Sequence, residues 1–178
     1  MTYYGPKELA EAFKTVRKNT LQIAEDIPEN KYSFKAADDV RTVEKLLTHI
    51  ALATRFQYPV HSEKRTTMEG FNFPALFQEL TAEEAKPRTK AEVITLLRNE
   101  GDKWAGFVAG LSEEFLGQTI TMAPGGTPPA RLRFDMILSA KEHEMHHRAQ
   151  LMLIERILGI VPHLTRQMQE RMARMPQR

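Results

Sequence analysis

Three of the chain's six histidines fall between Lys141 and Arg148, in the run Lys141-Glu142-His143-Glu144-Met145-His146-His147-Arg148. A helix turns about 100° per residue, so residues four apart lie about 40° apart on its surface, one turn up. His143 and His147 therefore point the same way and can share one cation. His143 and His146 are also neighbours, about 60° apart, so spacing alone leaves both pairs open. The rest of the helix separates them. With His143 set at zero, Leu132, Met136, Ala140, His147, Gln150, Ile154 and Leu158 fall within about 60° of it. That is the expected core-facing stripe, and His146 lies on its edge. Two inward imidazoles need partners, because a buried polar group without one is costly. A cation is one answer and a hydrogen-bonded core pair without metal is the other.

A metal site needs a third ligand. His49 lies mid-helix inside an apolar arc, whereas His61 and His163 fall at the ends of predicted elements, where solvated histidines are expected. Three imidazoles with an open fourth position form the catalytic arrangement of zinc-type sites, in which a bound water loses its proton near pH ~7. Two polar residues join this set as candidate catalytic groups. Gln150 lies beside the inward pair. Glu100 interrupts the apolar stripe Val93, Leu97, Trp104, Val108 and Leu111. It is read as a carboxylate orienting a histidine, a further ligand or a general base, or else as a side chain reaching water at the bundle end.

Composition narrows the chemistry. The chain has no cysteine, which removes disulfides, thiolate ligands and cysteine nucleophiles. Any thiol in the reaction must arrive as substrate. A formal charge of +2 over 178 residues lacks the basic excess of a nucleic-acid binder. No apolar run approaches the ~20 residues that span a bilayer, and the opening residues lack the apolar core of a secretory signal. A cytoplasmic protein of one domain, 1–178, is the expectation.

Four helices must position these residues. The first is expected over Pro6–Ile27, with Leu9, Phe13, Val16, Thr20, Ile23 and Ile27 as its stripe. The second spans about Val40–His61. The third runs from Thr89 to Leu111, opened by the capping box Thr89-Lys90-Ala91-Glu92. The fourth covers about Leu132–Leu158, closed by Gly159 and Pro162. A short basic helix over Pro162–Met175 follows. Residues Ser62–Arg88 form a long connection with a helical turn near Ala75–Leu80 and a second capping-box pattern, Thr81-Ala82-Glu83-Glu84. Gln118–Met122 reads as a short strand. The class is all-α, a four-helix bundle. On the far side of the fourth helix, Phe134, Leu138, Met145 and Met152 form a second apolar line, read as a surface for the C-terminal segment or a second chain.

The segments Glu29–Phe34, Val40–Ile50, His143–Leu151 and Leu158-Gly159 with Pro162 resemble the DinB/YfiT-like family of small metal-dependent four-helix-bundle proteins. The resemblance covers most of the chain. It implies a divalent metal, nickel or zinc, on His49, His143 and His147, and a homodimer. It implies a small-molecule enzyme of thiol S-transferase or hydrolase type, and the charge balance and short apolar runs already given lead to the expectation of no nucleic acid or membrane as partner. The alternative is a non-catalytic, stress-associated homodimer braced by its metal. Where the family often has glycine, this chain has Ala149. The same block also reads His143-Glu144-x-x-His147, the zincin protease motif with Glu144 as general base. The near-absence of strand pattern argues against that protease.

Overall fold

Local chemistry sets where each helix begins. The computed structural model describes residues 4–175. Helix α1 (Pro6–Asp26) opens on Pro6, and Glu8 Oε2 accepts a hydrogen bond from Gly5 N at 3.0 Å. Its stripe is buried as expected, and Arg17 is buried with it. After a 3₁₀ turn (Glu29–Lys31), α2 (Val43–Ser62) begins three residues later than predicted. The hydroxyl of Thr42 sets that start by accepting from Lys45 N at 3.1 Å.

The long connection holds a full helix, α3 (Phe73–Ala85), in place of the single turn expected. Asn72 Oδ1 caps it by accepting from Ala75 N at 3.0 Å. Thr81–Glu84, read as a helix start, falls instead in its last turns, because Asn72 and Pro74 have already nucleated the helix upstream. Helix α4 (Lys90–Ala109) starts at the predicted capping box. A short α5 (Glu113–Leu116) leads into an antiparallel ribbon of β1 (Thr119–Thr121) and β2 (Ala130–Leu132), with Ile120 opposite Arg131. Then come α6 (Arg133–Ile157) and α7 (His163–Ala173). Gly159, at φ 78°, supplies the left-handed residue that closes α6.

Helix α1 packs on α4 and α6, and α2 packs on the same two. The bundle therefore runs α1–α4–α2–α6 around its axis, and α3 lies outside it on α2. No helix of the described residues is long and apolar enough to cross a membrane. One core cluster joins Ile23, Leu47, Ile50, Leu97, Leu151 and Ile154, a second joins Leu9, Phe13, Trp104, Val108 and Ile137, and a smaller third joins Val60, Met68, Ile120 and Met136.

Along α1 and α6, Arg17 and Glu144 fall between the residues of the first two clusters. Arg17 Nε donates to both oxygens of Glu144, at 2.9 and 3.1 Å, and Nη2 donates to Oε2 at 2.9 Å. Arg17 Nη1 donates to the carbonyl of Leu97. Gly101 makes room for it, since a Cβ there would lie 2.9 Å from Arg17 Cγ.

This pair corrects the predicted orientation of α6. The buried residues of the helix are Arg133, Met136, Ile137, Ala140, Glu144, Leu151, Ile154 and Glu155. Pairing with Arg17 draws Glu144 into the core, so His143 and His147 sit half-buried at its edge and Gln150 is exposed. The far-side line is corrected too. Phe134, Leu138 and Met152 pack against the core clusters, leaving Met145 exposed. The exposed apolar residues of α6 include Leu153 and Ile157 instead. His61 and His163, expected to be solvated, are both buried. His61 Nδ1 lies 3.1 Å from Arg133 Nη1, and His163 Nε2 lies 3.1 Å from Asn19 Oδ1.

Candidate metal centre

Helix α2 delivers His49 to the face of α6 that carries His143 and His147 one turn apart. One ligand nitrogen from each of the three lies within 4.8 Å of the others. His49 Nε2 and His143 Nε2 are 3.1 Å apart. The ring centroids stand 5.0 Å apart for His49 and His143, 4.9 Å for His49 and His147, and 4.5 Å for His143 and His147. A tetrahedral cation with bonds of about 2.0–2.1 Å would hold its nitrogens roughly 3.3 Å apart, so the observed spacing suits one ion. An all-imidazole donor set fits zinc, copper, iron or nickel better than a hard cation such as calcium.

The outer nitrogens fix the tautomers. Glu84 Oε2 lies 2.9 Å from His49 Nδ1, and Gln150 Oε1 lies 2.8 Å from His147 Nδ1. Each oxygen accepts the Nδ1 proton, which leaves Nε2 as a lone pair facing the cluster. His143 Nδ1 is buried without a partner.

Electrostatics favours neutral rings. Burial, reinforced by His147 and His49, lowers the His143 pKa to about 4. Burial also lowers His49, opposed by its hydrogen bond to Glu84, and lowers His147, opposed by its bond to Gln150. All three rings are thus ready to ligate at neutral pH. Burial pushes Glu84 upward, but hydrogen bonds from Arg41 and His49 hold it below the usual carboxylate range.

A cavity of about 730 Å³ opens beside the cluster, between α2, α3 and α6. Arg41, Lys45, His49, Glu84 and His143 line its polar end, and Leu52, Phe56, Phe77 and Leu80 form much of the apolar remainder.

The structure brings four of the five residues singled out in the sequence to this place: His49, His143, His147 and Gln150. Glu100 is not among them. It pairs with Arg55 at 2.7 Å and lines a separate cavity of about 210 Å³ between α2, α3 and α4. His146 is exposed and outside the triad. Sequence reasoning missed Glu84, whose signal was a carboxylate at the end of a helix not foreseen at full length. It also missed Arg17 as the partner of Glu144. With its carboxylate held by Arg17 in the core, Glu144 cannot serve as the general base of the protease motif. The sheet among the described residues is only the two-stranded ribbon.

A bundle of four long helices with a histidine cluster bridging two of them defines the class, and the sequence agrees: residues 12–151 match the DinB superfamily, and the chain belongs to that family. Among its relatives is YjoA of Bacillus subtilis, an uncharacterized protein 29% identical over 154 residues, covering 85% of this chain and 90% of YjoA. The crystal structure of YjoA superposes with a TM-score of 0.64 at 23% identity, over 85% of this chain and 92% of that one. YfiT from Bacillus subtilis, a probable metal-dependent hydrolase with an unusual four-helix bundle topology, superposes with a TM-score of 0.68 at 15% identity, over 90% and 91% of the two chains.

Proposed function

We propose that this protein is a metal-dependent small-molecule enzyme of hydrolase or thiol-transferase type, with zinc or nickel held by His49, His143 and His147. The observation that supports this most is the convergence of three imidazoles, two of which line the polar end of an apolar cavity, with the outer nitrogens of two of the three held by acceptors. A divalent cation there supplies Lewis-acid polarisation and brings the pKa of a bound water or thiol toward ~7. The chain's residues do the rest. Glu84 keeps the proton of His49 on Nδ1 and fixes the ring, and Gln150 does the same for His147. Leu52, Phe56 and Leu80 give the cavity beyond the triad an apolar wall for the body of a substrate. Glu100, committed to Arg55, takes no part in the reaction. YfiT, with the same fold, is described as a probable metal-dependent hydrolase, which favours the hydrolytic branch. The thiol branch needs an external thiol, because the chain has no cysteine.

The assembly proposed is a homodimer, supported by exposed Leu153 and Ile157 on α6 and Met168 and Met172 on α7. Light scattering at micromolar concentration checks it.

The test is metal content followed by turnover. Elemental analysis of the purified protein should give one transition metal per chain, lost in His49→Ala and His147→Ala. The loaded protein should hydrolyse activated esters or amides, or conjugate a low-molecular-weight thiol to an electrophile, and these variants should not. Unchanged metal content in both variants overturns the site. Stoichiometric metal without either activity, together with a large stability loss on chelation, favours a cation that only braces α2 against α6.

A further inference from the structure

Helix α3 is the unusual element of this bundle. None of its thirteen residues is buried. It has open space on both flanks, since Leu80 lines both the larger cavity and the smaller one. It is secured at its two ends. At the C-terminal end, Lys45 Nζ donates to the carbonyls of Glu84, Ala85 and Lys86, and Glu84 bonds to Arg41 and His49. At the N-terminal end, Phe73 packs against Phe56 and Phe71, with centroids 5.6 and 4.7 Å apart. Between these attachments Phe77 lines the larger cavity while remaining 67% exposed. A large apolar side chain left this open at a cavity wall gains contact when something fills the cavity.

The cavity is polarised along its length. One end carries Arg41 and Lys45, which face the carboxylates of Glu84 and, at 3.3 Å from Lys45 Nζ, Glu44, so the charges balance before any cation is added. Lys45 is spent on carbonyls, but Arg41 uses only Nε and Nη2, on Glu84, and its Nη1 makes no hydrogen bond among the described residues. The remaining wall is chiefly apolar, with Gln57 and Ser139 bonded to each other at 3.3 Å. The volume falls within the range of pockets that enclose molecules of drug-like size.

We infer that this cavity takes an amphipathic monoanion, with an apolar body of medium chain length under α3 against Phe77 and a carboxylate-type head at Arg41, and that Phe77 selects for that body. This deepens the proposed function by naming its substrate class, and it rests on that reading only in placing the head beside the triad. A simple two-carbon acid would leave the space under Phe77 unfilled.

The experiment is calorimetric titration of the full chain with acetate, butanoate, hexanoate, octanoate and 1-octanol. It is done on chelator-treated and on zinc-loaded protein. Affinity should rise about three- to fourfold per methylene, and octanoate should bind more tightly than 1-octanol. Phe77→Ala, at an exposed position that does not threaten folding, should weaken octanoate about tenfold and leave acetate unchanged, and Phe77→Leu should restore most of the loss. Arg41→Gln should abolish the preference for octanoate over the alcohol. Affinity independent of chain length, or full octanoate binding by Phe77→Ala, overturns the inference. Chain-length dependence in a protein that takes up no metal at the triad supports the cavity assignment while the metal reading fails. Stoichiometric metal with a flat chain-length series overturns the cavity assignment alone.

Discussion

At the scale of single residues, the triad differs from a chance meeting of histidines in what stands behind it. Glu84 is held from one side by Arg41 and from the other accepts the Nδ1 proton of His49. A carboxylate in that position fixes the ring and raises the basicity of the opposite nitrogen. Gln150 does the same for His147 with a neutral oxygen from an exposed position, so its hold is weaker. Removing such an outer partner typically costs 10–100-fold in metal affinity. Glu84→Ala should therefore weaken zinc binding by about that much, measured by competition with a chromophoric chelator. Gln150→Ala should weaken it several-fold less. Equal losses in the two variants would show that the charge on Glu84 contributes nothing.

At the scale of elements, the buried pair Arg17 and Glu144 decides how α6 is rotated, and hence which histidines reach α2. Breaking a buried ion pair by removing one partner costs about 3–5 kcal/mol, whereas replacing both with apolar residues of similar volume is often neutral. Arg17→Met and Glu144→Leu should each lower the urea unfolding free energy by that amount, and the double variant should recover most of it. Additive losses would argue against the pairing. The same pair explains what the sequence could and could not reveal. Helical phase singled out His143 and His147, and the mid-helix place of His49 in an apolar arc added the third candidate; an (i, i+4) pair and a mid-helix histidine are both local patterns. The spacing placed the core side of α6 on the histidines; the true core side runs through Glu144, because its partner lies 127 positions away in sequence and no local pattern records it. Glu84 was hidden for a different reason. Thr81-Ala82-Glu83-Glu84 has the composition of a helix start, and only the stronger signal of Asn72 with Pro74 makes it an end. Glu100 stands apart from the triad because its ion-pair partner Arg55 lies on the neighbouring helix α2, and a carboxylate in an apolar stripe looks the same with or without such a partner.

At the scale of the whole molecule, buried groups with shifted pKa values set how stability varies with pH, and Glu155 and His61 act in opposite directions. Glu155 is fully buried with both carboxylate oxygens unpartnered, and burial, helped by Asp26, raises its pKa from 4.5 to about 7. Between those values the unfolded chain gives up a proton that the folded chain keeps, so rising pH favours unfolding. The accumulated cost above pH 7 is at most about 3 kcal/mol. His61 behaves in reverse. Burial, with Arg133 beside it, lowers its pKa from 6.5 to about 3. As pH falls below 6.5 the unfolded chain takes a proton that the folded chain refuses, so acid favours unfolding, by up to about 4–5 kcal/mol near pH 3. Stability should therefore decline on both sides of a mildly acidic maximum. Glu155→Met removes the alkaline branch and replaces an unpaired carboxylate with a side chain suited to the core. Urea unfolding of the chelator-treated protein at pH 4.5 and pH 8 checks this. The variant should gain about 2–3 kcal/mol over the parent at pH 8 and clearly less at pH 4.5, while its acid branch persists. An equal gain at both pH values would mean that Glu155 titrates alike in the folded and unfolded chain, and would assign its effect to packing.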